Sequence, residues 1–111
     1  MEIEFHNLKL QKLCNSAKNM TGKWGPKMAK KLQQRLSELA AANTLENMRN
    51  MPGRCHELKG DRKWQLALDL VHPQRLIFAP NHDPMPIRPG GGLDWSGVNS
   101  IVILEILDYH D

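Results

Sequence analysis

A chain of 111 residues with 41% hydrophobic and 24% charged side chains has the composition of one compact domain, expected to span 1–111. It is too apolar for a disordered segment, and no stretch approaches the roughly 18 consecutive apolar residues of a membrane helix. Met1-Glu2-Ile3-Glu4 also lacks the basic-then-apolar start of a secretory signal, so a cytoplasmic protein with no membrane contact is expected. The net charge of +3 conceals a polarity: residues 1–63 hold 13 Lys/Arg against 6 Asp/Glu, whereas residues 64–111 hold 2 against 6. Such a chain suits an anionic partner reached through phosphate contacts, or else its lysines simply solvate a helix face.

In chain order, Glu2, Ile3, Glu4, Phe5 and His6 alternate with the period of a half-buried strand, and Asn7 is placed to cap a helix. Leu10, Leu13, Cys14, Ala17 and Met20 recur on one helical face, with a stop expected at Thr21-Gly22. Pro26 fits the first turn of a second helix. That helix has an apolar stripe of Met28, Ala29, Leu32, Leu36, Leu39 and Ala40, with Lys27, Lys30, Lys31, Gln34, Arg35 and Glu38 opposite or flanking it. Two helices joined by a short turn form a hairpin.

The period changes after residue 56. Leu66, Leu68 and Leu70 alternate with Gln65, Ala67 and Asp69, and Arg75-Leu76-Ile77-Phe78-Ala79 follows across a short proline-containing link, as in paired strands. The apolar, β-branched run from Ile101 to Leu107 reads as a strand inside the sheet, buried on both faces. Between them, Pro80, Pro84, Pro86, Pro89 and Gly90-Gly91-Gly92 rule out regular structure for most of 80–97, a length of loop that is usually functional or mobile. The expected class is α+β, with a helical hairpin covering one face of a mainly antiparallel sheet of about four strands and the other face open to a ligand.

Three features carry chemistry. The segment RCHELKGDRK at 54–63 gathers Arg54, His56, Lys59, Arg62 and Lys63 about a Gly60-Asp61 turn, either a phosphate-binding cluster or a solvated hairpin turn. Asp108-Tyr109-His110 offers an acid, a phenol and an imidazole at the exit of the buried strand, either groups that handle protons or a polar tail whose Tyr covers the sheet edge. Arg75 lies in an otherwise apolar strand, so it must reach solvent or find an anion. Together these supply the base, acid and cation needed when the 2′-OH of RNA attacks its adjacent phosphate without a metal. The histidines at 6, 56, 72, 82 and 110, with Asp69, Asp83 and Asp94, match no metal-binding spacing, and no cofactor is expected. HExxH, Walker A, GxGxxG and GxSxG elements are absent from the sequence. Cys14 and Cys55 form no CxxC pair and read as two free buried thiols.

RCHELKGDRK, LALDLVHPQRLIFAP at 66–80 and ILEILDYH at 103–110, with the MAKKLQQRLSEL helix at 28–39, resemble the RelE/ParE toxin superfamily, its HigB branch above all. The resemblance implies a RelE-like fold and a toxin of a type II toxin-antitoxin system that acts as a ribosome-dependent mRNA endonuclease. It implies as partners a HigA-like helix-turn-helix antitoxin, the ribosome and mRNA, with operator DNA reached only through the antitoxin. His56, Asp108, Tyr109 and His110 would then be catalytic, Arg75 would stabilise the phosphate, and Lys59 and Arg62 would hold RNA. Other members of the superfamily poison DNA gyrase, and a non-catalytic antitoxin-binding module is the remaining possibility.

Overall fold

A computed structural model describes residues 1–108. The first strand, β1 (Glu2–Phe5), leads into α1 (Leu8–Cys14), α2 (Ala17–Trp24) and α3 (Pro26–Ala41). The strands β2 (His56–Glu57), β3 (Leu66–Asp69), β4 (Gln74–Pro80) and β5 (Ser100–Asp108) follow. They form one five-stranded sheet in the order β1-β5-β4-β3-β2, in which β1 runs parallel to β5 and the other neighbours are antiparallel. The architecture is the α+β arrangement expected. The strand beyond the expected four is β2, whose two residues are too few to show a period.

The Asn7 side chain caps α1 by accepting from the Leu10 amide at 2.8 Å, as the sequence indicated. What reads as one helix over 8–22 is two, because Ser16 starts a new helix by accepting from the Asn19 amide at 3.1 Å. The expected stop at Thr21-Gly22 is also displaced. Gly22 is absorbed into α2, and the chain turns at Gly25, whose φ of 85° is the left-handed conformation that glycine adopts without strain. That single residue joins α2 to α3, and Pro26 opens α3 at its first position.

Leu10, Cys14, Met20, Met28, Leu32 and Leu39 from the helices pack on Leu66, Leu68, Leu76, Phe78, Ile101 and Ile103 from one face of the sheet, forming the main core. Arg35, expected on or beside the polar side of α3, is instead 5% exposed. Its Nε donates to the Asp69 carbonyl at 2.9 Å and its Nη1 to Glu38 Oε1 at 3.0 Å, so a buried charge is both paired and hydrogen-bonded.

The opposite sheet face is not bare. Leu58, Ala67 and Ile77 are buried there, with Leu104 and Leu107 packed against them. For the same reason β3 does not alternate in burial: Leu66, Ala67 and Leu68 are all enclosed. The central position of β5 between β1 and β4 is as expected, whereas burial on both faces is not, since Val102, Leu104, Glu105, Ile106 and Leu107 are only half-buried.

The proline- and glycine-rich segment 80–97 stays largely irregular but is tied down. Leu93 and Trp95 enter the main core, as does Val98 just beyond the segment; Trp95 Nε1 donates to Glu57 Oε2 at 3.0 Å, and the Arg49 guanidinium lies 4.2 Å from the centre of the Trp95 ring. No helix among the described residues is long and apolar enough to cross a membrane.

Candidate functional site

Strand register decides which predicted residues meet. His56 lies opposite Ala67, Asp69 opposite Arg75, and Arg75 opposite Leu107. Because side chains on a strand alternate between faces, His56, Ala67, Asp69, Arg75 and Leu107 share the face turned away from the helices. Asp108 pairs with Gln74, and the same alternation assigns it to the other face of β5. Tyr109 and His110 lie outside the described residues.

The center of the site is an acid, Asp69, that the sequence reading weighed only as a metal ligand. Arg75 Nε lies 3.1 Å from Asp69 Oδ1, and Arg54 Nε lies 3.3 Å from Asp69 Oδ2. Of the two outcomes expected for Arg75, solvent or an anion, the structure shows the second: it meets Asp69 across the β3–β4 hairpin, and its side chain is 13% exposed. The Oδ1 atom is buried and accepts no well-aligned hydrogen bond from the described residues, so the Arg75 contact is an ion pair. The Asp69 main chain is fixed as well: its amide donates to Gly53 O at 2.7 Å and its carbonyl accepts from Arg35.

The bend that delivers Arg54 is tightly specified. Gly53 has φ 106°, and a β-carbon there would sit 2.8 Å from Leu68 Cδ1 and 2.9 Å from Arg35 Nε, so glycine is required by both conformation and space. Arg54 itself has φ 54°, which costs a non-glycine residue about 1 kcal/mol. Its carbonyl lies 2.7 Å from His56 Nδ1. A carbonyl only accepts, so Nδ1 carries a ring proton, and the other ring nitrogen, Nε2, is buried.

Arg62, from the 3₁₀ turn Gly60–Arg62, reaches across the sheet, its Nη1 donating to Gln65 Oε1 at 2.8 Å and to Glu105 Oε2 at 3.0 Å. Lys59 and Lys63 are exposed on the same turn, with the Lys63 ammonium 5.0 Å from the centre of the Trp64 ring. The structure thus gathers Arg54, His56, Arg62 and Arg75 on one face with Asp69 and Glu105 between them, while Lys59 and Lys63 form its rim. A pocket of about 150 Å³ opens beside the paired arginines, walled by Asp69, His72, Pro73 and Gln74. No three His, Cys, Asp or Glu side chains converge as a metal site among the described residues.

Neither cysteine is a reactive center. Burial pushes the Cys14 thiol up to about 11 and the Cys55 thiol up to about 12, the latter against a partial downward pull from Arg49. Both stay protonated near neutrality, and the thiolate is the nucleophile. Iodoacetamide at pH 8 should therefore label the native protein slowly at both positions and the urea-unfolded protein rapidly; fast native labelling at Cys55 would contradict the burial. The sign for stability follows from proton binding. Above the ordinary thiol value of about 9 the unfolded chain loses protons that the folded one keeps, so stability falls as pH rises beyond it.

No family model matches the sequence, and no curated protein does. Solved structures do. The chain is similar to YoeB in the YoeB-YefM complex from Staphylococcus aureus, with a TM-score of 0.58 and 16% identity, covering 100% of this chain and 98% of that one. It is similar to the YoeB dimer from the same organism, with a TM-score of 0.57, 18% identity and coverage of 100% and 98%. A YoeB/ParE toxin from Agrobacterium tumefaciens gives a TM-score of 0.55 and 10% identity over 99% of this chain and 100% of that one. At these identities the shared property is the fold, and it extends over the length of each chain.

Proposed function

We propose that this chain, which has the fold of the YoeB and ParE toxins, is the toxin of a type II toxin-antitoxin system and cleaves mRNA bound to the ribosome. The observation that carries the reading is the convergence of Arg54, His56, Arg62 and Arg75 on one sheet face, three guanidiniums and an imidazole, on that fold. Guanidiniums match phosphate oxygens with planar, paired donors, and an imidazole near neutral pH both takes and gives a proton.

In the proposed reaction the 2′-oxygen attacks the adjacent phosphorus while the bond to the 5′-oxygen breaks, leaving a 2′,3′-cyclic phosphate and a 5′-hydroxyl. One group removes the 2′-OH proton, another protonates the departing 5′-oxygen, and Arg75 meets the charge developing on the phosphoryl oxygens. His56 offers Nε2 for proton transfer, which requires the site to open around that atom as RNA binds. On the strength of the resemblance in sequence Tyr109 and His110 join the proposed catalytic set together with Asp108, which strand alternation assigns to the other face of β5 from His56 and Arg75. Arg54, Lys59, Arg62 and Lys63 hold the strand.

The complex of YoeB with YefM supports a protein partner here too, and we take it to be a HigA-like helix-turn-helix antitoxin through which alone operator DNA is reached. Assignment to the HigB branch and to the cytoplasm belongs to the same proposal. The test is mRNA cleavage by purified protein with and without programmed ribosomes, wild type against His110→Ala. Cleavage only with ribosomes, abolished in the variant, is the expected result. Intact RNA throughout, from folded protein that still arrests growth, overturns it and makes DNA gyrase the next target to assay.

A further inference from the structure

We infer that Asp69 is a positioning residue that binds Arg54 and Arg75 into a single phosphate-receiving unit, an inference that rests on the proposed RNA cleavage. Its carboxylate divides itself between them, Oδ1 against Arg75 Nε at 3.1 Å and Oδ2 against Arg54 Nε at 3.3 Å. Two guanidiniums this close repel each other without an anion between them. Each is met at its Nε by one oxygen of the same carboxylate, so the shared negative charge holds the two groups side by side.

The surroundings hold Asp69 independently of its own side chain. The Asp69 carbonyl accepts from Arg35 Nε at 2.9 Å and its amide donates to Gly53 O at 2.7 Å, main-chain bonds that any side chain at 69 retains. Arg35 is 5% exposed, and Gly53 has no room for a β-carbon, so the base under Asp69 is rigid. Rigid support of this kind sets a charged group to within the fraction of an ångström that transition-state stabilisation needs.

Asp69 itself is not a catalytic residue. Its Oδ1 atom is enclosed against Arg75 and its Oδ2 is engaged by Arg54, so it acts through the two arginines, which line the pocket of about 150 Å³ with His72 and Gln74. A phosphodiester beside two paired arginines is the ligand chemistry that this pocket fits.

Asp69→Asn keeps the shape and the main-chain bonds while removing the negative charge. Site polarity then makes an unusual split the expected result. The single-turnover cleavage rate at saturating programmed ribosomes should fall by roughly 10- to 100-fold, the cost of a misplaced catalytic group. The half-saturating ribosome concentration should stay the same or drop, because the face has become more positive. Asp69→Glu should recover part of the rate. An unchanged rate overturns the inference, and so does a rate that falls together with weaker binding and an earlier melting transition, which marks a structural role alone. A rate that rises overturns it too, since Asp69 would then be a counter-ion that RNA must displace.

A second readout needs no cleavage. Nitrogen-15 relaxation at the Arg75 Nε, assigned by its loss in Arg75→Lys, should show an ordered side chain in the wild type and a more mobile one in Asp69→Asn. Equal order in both overturns the inference. If wild-type protein leaves RNA intact on ribosomes, the functional reading fails, and the relaxation result alone decides whether Asp69 positions Arg75.

Discussion

Arg75→Ala is expected to lower mRNA cleavage on the ribosome by about 100- to 1000-fold, the usual cost of losing one donor aimed at a developing oxyanion. Affinity for the antitoxin should change little. The two effects separate because Arg75 is only 13% exposed at the bottom of the sheet face, where a partner protein finds little of it to grasp. Folding should survive the change. Asp69 keeps Arg54 as a counter-ion and, with its side chain 36% exposed, keeps contact with water, so no isolated buried charge is created. Single-turnover cleavage and calorimetric titration with the antitoxin measure the two effects, and equal losses in both would remove the catalytic role.

Arg35→Ala should instead destabilise the protein by about 3 kcal/mol, in the range found when one member of a buried ion pair is removed. Two groups lose a partner at once: Glu38, whose side chain is 15% exposed and keeps only the Gln34 amide at 3.4 Å among the described residues, and the Asp69 carbonyl at the end of β3. A cavity the size of the guanidinium and its stem adds to the loss. Arg35→Met refills much of that space and should recover only the packing part. Urea unfolding of the three proteins resolves the contributions, and an alanine variant as stable as the wild type would show that the buried pair contributes nothing net.

The elements visible in the sequence are those whose period runs long enough to be seen. Pro26–Ala41 shows an apolar stripe over four turns, and Leu66–Asp69 with Gln74–Pro80 shows two extended runs flanking a proline link; both are as the sequence indicated. β2 has two residues and no period. The break at Asn15-Ser16 was hidden because the apolar face continues through it, with Cys14 and Met20 both buried. Arg35 was misplaced for a related reason: a periodic reading puts every charge outside, and only the carbonyl of a distant strand explains why this one turns inward.

The site was legible in part. Arg75 was recognisable as a charge that must reach solvent or an anion, but the partner was not named. The clue lay in the hairpin, since Asp69 ends β3 and Arg75 is the second residue of β4 beyond a four-residue link, and the register sets the two opposite each other. Arg62 looked like a free cation of a charged turn, whereas its partner Glu105 is 43 positions away and only the sheet brings them together. The segment 80–97 read as irregular because of its prolines and glycines, correctly, yet Leu93 and Trp95 embed it in the core, a consequence of two apolar side chains and not of backbone propensity.

The position of β5 also bears on how the protein is made. This strand is synthesised after all the others, but it lies between β1 and β4 and joins them through its two edges. Until it leaves the ribosome, β1 has no neighbour in the sheet, and the helices have only part of the surface they cover. Pairing of Glu2 with Ser100 closes nearly the whole chain into one loop, the kind of long-range contact that forms late in folding. The growing polypeptide therefore reaches its finished architecture only once the strand that completes it has emerged.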